Sequence, residues 1–177
     1  MKNNKLIKSQ FNDKINMAEE KKDKIKQLKE DYEKLQKKYN LPEFDWINQE
    51  FEIEKVKSGT FLLKEIRRLM IEKIASVLKL FELLMNPTAA PFFILIIIKN
   101  LSSETKKQIE TIYKELAAIE VSMLKFDLSY NEKSEAEAII SISKKWKGYK
   151  EDILSICKNM EEAWNTNYKK SDKSYLG

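Results

Sequence analysis

Between Thr60 and Met85 apolar residues recur every three or four positions: Leu62, Ile66, Leu69, Met70, Val77, Leu80 and Leu84, with Lys73 as the only break. That is the period of one helical face. A second stripe, Phe61, Leu63, Ile71, Ile74, Leu78, Phe81 and Met85, runs beside it. Two stripes call for neighbours on more than one side, so this segment is expected to form the central helix. At the α-helical rise it makes a rod of about 39 Å. Gly59 interrupts the chain ahead of it, Ser58 or Thr60 is the expected cap, and Asn86-Pro87 ends it, because proline disfavours the helical conformation of the preceding residue.

Upstream, Phe11 to Tyr39 has a heptad pattern. With Phe11 at position a, the series continues through Ala18, Ile25, Tyr32 and Tyr39, while position d holds Lys14, Lys21, Leu28 and Leu35. The seam is apolar in its second half only, which predicts an amphipathic, coiled-coil-like helix forming an arm. Asn40-Leu41-Pro42 stops it, and Phe44, Ile47 and Phe51 share one face of a short helix. The alternation in Glu50–Glu54 suggests that the chain then runs extended.

Downstream of Asn86, the run Phe92–Ile98 is wholly apolar, and no charge falls between Leu83 and Ile98. Two prolines and insufficient length argue against a membrane span; a buried helix or strand plugging one end is expected. Ile109, Ile112, Leu116, Ile119, Met123 and Phe126 predict a helix over Leu101–Phe126, capped by Ser102. Ser129 and Glu132 form a capping-box pattern opening Asn131–Lys147. Gly148 is the expected break before a last helix, Tyr149–Tyr168. The pattern as a whole predicts an all-α fold, a helical bundle of about five helices with a long N-terminal coiled-coil-like helix. Residues 1–41 form that helix, 42–170 the bundle, and 171–177 a tail.

Composition supports this. Three glycines and three prolines among 177 residues leave few breaks, and 42% apolar against 34% charged residues suits a folded core. The net charge of +5 is unevenly spread, with acids and no cation over Pro42–Glu54, but no block is basic enough to require nucleic acid. Histidine is absent. That removes histidine-dependent triads and His-bearing zinc sites. Cys157 sits among Ile153, Leu154 and Met160 and reads as a small core residue. No glycine-rich phosphate loop or Cys-x-x-Cys pair is present. No catalytic, cofactor-binding or metal-binding residue is therefore predicted, and no small-molecule substrate is inferred. With no apolar core segment in MKNNKLIKSQ, a cytoplasmic setting is the expectation.

Two kinds of candidate site remain. Partner surfaces are expected on the seam residues Ile25, Leu28, Tyr32, Leu35 and Tyr39, and on the Leu83–Ile98 patch with Phe92 and Phe93. Phosphate or carboxylate contacts are assigned to Arg67 and Arg68, the only arginines, and to Lys144, Lys145, Lys147 and Lys150, which interleave with Trp146 and Tyr149. For the arginines, internal ion pairs with Glu65, Glu72 or the acids of Glu50–Glu54 compete with a ligand. For the lysines, a solvated rim over core aromatics competes. Acids at Asp127, Glu132, Glu135 and Glu137 are explained by placement near a helix start. The expected function is non-enzymatic: a helical protein–protein interaction or scaffold protein, with a protein partner or homo-oligomer. The alternatives are a nucleic-acid-binding accessory protein using basic helix faces, and peripheral membrane association through residues 83–98. The second is the weaker partner class.

Overall fold

The expected central rod is present. The computed structural model describes residues 22–56 and 58–171, and these are helical with no strand among them. Six α-helices follow in order: α1 (residues 22–39), α2 (Phe44–Phe51), α3 (Leu62–Met85), α4 (Phe92–Asn100), α5 (Ser103–Leu128) and α6 (Glu132–Ser171). Short 3-10 turns occupy Ile53–Lys55 and Pro87–Ala89.

Three long helices form the frame. Arg67 of α3 meets Asp127 of α5 and Tyr113 of α5 meets Glu82 of α3, so α3 and α5 run antiparallel. Arg67 meets Glu135 and Lys73 lies over Trp146, so α3 and α6 run in the same direction. The core face of α3 draws on both apolar stripes: Leu62, Leu63, Ile66, Met70, Ile74, Leu78, Phe81 and Leu84 are buried. Facing it are Ile112, Leu116 and Ile119 of α5 and Ile139, Ile142 and Ile156 of α6. Removing such side chains from water is the main term holding the three together.

The groove between α3 and α6 has two covers. α1 and α2 close its lower half, with Leu28, Tyr32, Phe44, Ile47 and Phe51 buried. α4 closes the upper half with Ile94 and Ile97. The turn between α1 and α2 is built on Asn40, left-handed at φ 55°, with the Leu41 amide donating to the Gln36 carbonyl at 3.3 Å. Asn tolerates that conformation, and the six-to-one bond and buried Leu41 complete a Schellman-type stop.

Several expectations require correction. Gly148 does not break the chain, and α6 is one helix from Glu132 to Ser171. A single glycine costs a helix only about 1 kcal/mol, which the buried residues on both sides, Trp146 and Ile153, outweigh. Ser129 does not cap α6; Asn131 does, its side-chain oxygen accepting from the Ser134 amide at 3.0 Å. Neither Ser58 nor Thr60 caps α3, whose first residue follows Phe61 with no side-chain cap; Ser58 instead hydrogen-bonds Asp31. Glu50–Glu54 does not run extended, because Glu52 turns left-handed and the 3-10 turn follows. The arm over Phe11–Tyr39 lies partly outside the described residues; its described part, 22–39, lies against the body and does not project, because Leu28 and Tyr32 are in the core. Ser102 caps α5 as expected, accepting from the Thr105 amide at 3.0 Å.

Candidate functional site

The two arginines part company. Arg67 is only 1% exposed. Its Nε donates to Glu135 Oε2 at 2.6 Å and its Nη2 to Asp127 Oδ1 at 2.9 Å. The Phe126 ring lies 5.6 Å from its guanidinium carbon. Burial works against the Arg67 charge, but the two carboxylates outweigh it and raise its pKa. The hydrogen bond from Arg67 is likewise the chief reason Asp127 stays ionised below the ordinary aspartate range. Arg68 points outward, half-exposed, 3.4 Å from Glu65. The acids that hold Arg67 come from α5 and α6, not from Glu65, Glu72 or the upstream Glu50–Glu54 stretch. The spacing signals burial of Glu135, though not its partner: it stands four residues before Ile139, on the buried face of α6. Its second oxygen, Oε1, is buried with no partner among the described residues.

The upstream acid serves another junction. Glu50 is buried and accepts from Lys150 Nζ at 2.6 Å and from Trp146 Nε1 at 2.9 Å. Lys73, the break in the first stripe, donates to the Glu50 carbonyl and lies over the Phe51 and Trp146 rings. Burial disfavours the Glu50 carboxylate, yet the bonds from Lys150 and Trp146 prevail and hold its pKa below the usual range. Glu50 follows Ile47 by three, so its position on the core face was readable.

The remaining lysines are scattered in role. Lys145 is 3.6 Å from Glu115, Lys147 lies over the Trp46 ring at 4.2 Å, and Lys144 is exposed. Trp146 is buried and Tyr149 half-buried beneath them. Arg67 does not share an exposed face with this segment, which a nucleic-acid surface built from both would need. On the N-terminal seam, Leu28 and Tyr32 are consumed by the core, the Tyr32 hydroxyl donating to the Pro42 carbonyl at 2.7 Å. Tyr39 donates to Glu132 at 2.7 Å, which Lys38 also reaches. Leu35 and Ile25 are half-buried. From Leu28 to Tyr39 the seam therefore faces this chain's own body.

The opposite holds at the upper end. Phe92 is 77% exposed, Phe93 49%, Leu95 42% and Met85 41%. Expectation had the run Phe92–Ile98 fully buried; a lone helix laid across a groove can bury one face only, here Ile94 and Ile97, and the other stays bare. Met85 and Leu95 fall inside the 83–98 stretch, and Leu95 follows Phe92 by about one helical turn. Beside α4 lies an apolar groove of about 640 Å³ floored by Leu84, Ile98, Leu101 and Ile109, with Lys106, Glu110 and Lys114 at its rim. On the other flank a hollow of about 310 Å³ runs between Phe93, Ile97, Met160 and Trp164. Cys157 lines this hollow, half-buried, with burial pushing its thiol pKa up. A second set of exposed apolar residues, Val121, Leu124 and Leu128 on α5, is interleaved with Lys125 and Asp127 and adjoins none of these hollows.

Among the described residues, no group of three or more acidic or cysteine side chains is placed to hold a metal ion. No described helix is long and apolar enough to cross a membrane. Comparison with family models, with curated proteins and with solved structures finds no match for this chain.

Proposed function

We propose that this chain is a non-enzymatic helical interaction or scaffold protein that engages a protein partner through its α4 end. The observation that carries this is the bare apolar face of α4, flanked by hollows with apolar floors. Isolated exposed apolar side chains are ordinary, but a clustered patch beside shaped hollows is how interaction sites are built. The internal use of the polar groups supports a role without catalysis. Asp127, Glu135, Glu50 and Glu132 each hold a cation of the same chain, so their charges serve packing between helices.

Affinity capture from the native cell tests this, using the full chain and a Phe92→Asp/Leu95→Asp variant as baits, with and without nuclease. The captured set, untagged copies of this chain apart, is expected to be lost from the variant and to survive nuclease. An identical set on both baits, or a set that disappears with nuclease, defeats the proposal.

A further inference from the structure

The geometry points to a second copy of this chain docked along the outer face of α5, the two helices parallel about a two-fold axis. This goes beyond the α4 role proposed above and does not depend on it. The inward face of α5 carries Ile112, Leu116, Ile119 and Met123. A separate apolar stripe runs along its solvent side: Val121 is 67% exposed, Leu124 63% and Leu128 88%, with half-buried Ala117 one turn earlier. Steps of four, three and four residues are those of a coiled-coil seam, with Ala117 and Leu124 at position d and Val121 and Leu128 at position a. A β-branched residue at a beside leucine at d, as in Val121 and Leu124, favours two parallel strands. Upstream, Lys114 and Glu110 hold the next a and d positions, pair with each other, and end the stripe.

The charges beside the stripe specify the occupant. Glu120 at position g and Lys125 at position e flank it on opposite sides. They stand roughly 140° apart around the helix, too far round to meet within one chain. Neither has an ion-pair partner among the described residues, and Lys125 lies over the Phe126 ring at 5.3 Å. In parallel strands a g residue faces the following e residue of its neighbour. A second copy in register therefore sets each Glu120 against the other copy's Lys125, once on either side of the axis, as a self-complementary two-fold interface requires. Antiparallel packing sets g against g and e against e, which brings like charges together. The next g position, Asp127, is already held by Arg67 and Arg68, and the preceding g and e positions, Tyr113 and Ala118, carry no charge, so Glu120 and Lys125 fix the register. An anionic membrane or a nucleic acid is held by a surplus of cations, which one acid and one base do not supply. The seam is about 18 Å long, so the dimer is a concentration-dependent one.

Sedimentation velocity of the purified full chain over a concentration series tests this directly. The wild type is expected to pass from monomer to dimer, and Leu124→Asp to remain monomeric over the same range. Glu120→Lys and Lys125→Glu each set like charges against one another and are expected to weaken dimerisation about ten-fold. The double exchange Glu120→Lys/Lys125→Glu restores opposite charges and should regain wild-type strength, as should an equimolar mixture of the two single variants. None of these side chains is buried, so far-ultraviolet dichroism and melting at a dilution where every variant is monomeric should match wild type. A wild type that stays monomeric throughout, or a dimer indifferent to Leu124→Asp, overturns the inference and leaves the α4 role to the capture experiment. A dimer dissolved by Phe92→Asp in place of Leu124→Asp moves the contact to α4 and overturns it too. Single variants as strong as wild type, or a double exchange as weak as the singles, overturn the parallel charge pairing.

Discussion

The lower and upper halves of the α3–α6 groove are closed by different means. Below, α1 and α2 are tied down by named polar bonds: Glu50 to Lys150 and Trp146, Tyr39 and Lys38 to Glu132, with Arg67 buried between Asp127 and Glu135 nearby. Above, α4 is held by apolar burial of Ile94 and Ile97, and its outer face carries no charge except Lys99. Buried ionic groups demand particular partners and so specify one arrangement, whereas apolar contact is non-directional and leaves the other side of the helix free. The lower half is thus committed to its own chain, and the upper half keeps an apolar face exposed.

Breaking the lower half should have the largest effect. Arg67→Met leaves the Glu135 carboxylate buried without its cation. A cost of about 3–5 kcal/mol is expected, read by urea denaturation, with much of it recovered in Arg67→Met/Glu135→Met. A double variant no more stable than the single one would show that the pair is not the cause.

Glu50→Ala removes the acceptor for both Lys150 and Trp146. It should cost about 2–3 kcal/mol, in line with the loss of charge-assisted buried bonds. The pH dependence sharpens this. The folded pKa values of Glu50 and Asp127 lie below their unfolded values, so their contribution is complete above the ordinary carboxylate range of about 4 and is lost as pH falls through that range toward the folded values. Wild-type melting temperature should therefore hold near neutrality and fall on acidification, and Glu50→Gln should fall less steeply. Parallel curves for the two proteins would remove Glu50 from the account.

Smaller effects probe the frame that both halves share. Asn131→Ala should cost about 1 kcal/mol through loss of the α6 cap, whereas Ser129→Ala should change little. Gly148→Ala should stabilise by roughly 0.5–1 kcal/mol, because nothing lies within 4 Å of the added methyl and the helix is continuous there. A loss of stability on Gly148→Ala would mean that α6 bends at this point. Smallest in the upper half, Phe92→Asp should alter melting hardly at all while reducing partner capture.

Much of the frame was legible from local pattern. The stripes over 62–85 and 109–126 are long and strongly periodic, and the cap at Ser102 is a local bond between residues three apart. Gly148 and Ser129 were misread for one reason: each has a real local tendency that packing or a neighbouring cap outweighs. The pairing of Arg67 with Glu135 spans 68 residues, and no local spacing announces which acid will meet a buried guanidinium. The expectation that residues 92–98 would be wholly covered failed because an apolar run states a need for burial without stating how much cover the fold supplies.

Hydrophobic periodicity, by itself, determined that this protein is all-α, where its long helices lie, and that its apolar mid-chain helix must be sheltered, since these follow from bonding and burial over a few turns. Tertiary structure alone decided how completely each apolar face is covered and which polar side chains go inside with it. It sent Leu28 and Tyr32 to the core, closed Glu50 and Glu135 onto their cations, and left Phe92 and Phe93 in solvent. The reason is that burial depends on which distant segments occupy a groove and how much of it they fill, and that is a property of the assembled chain.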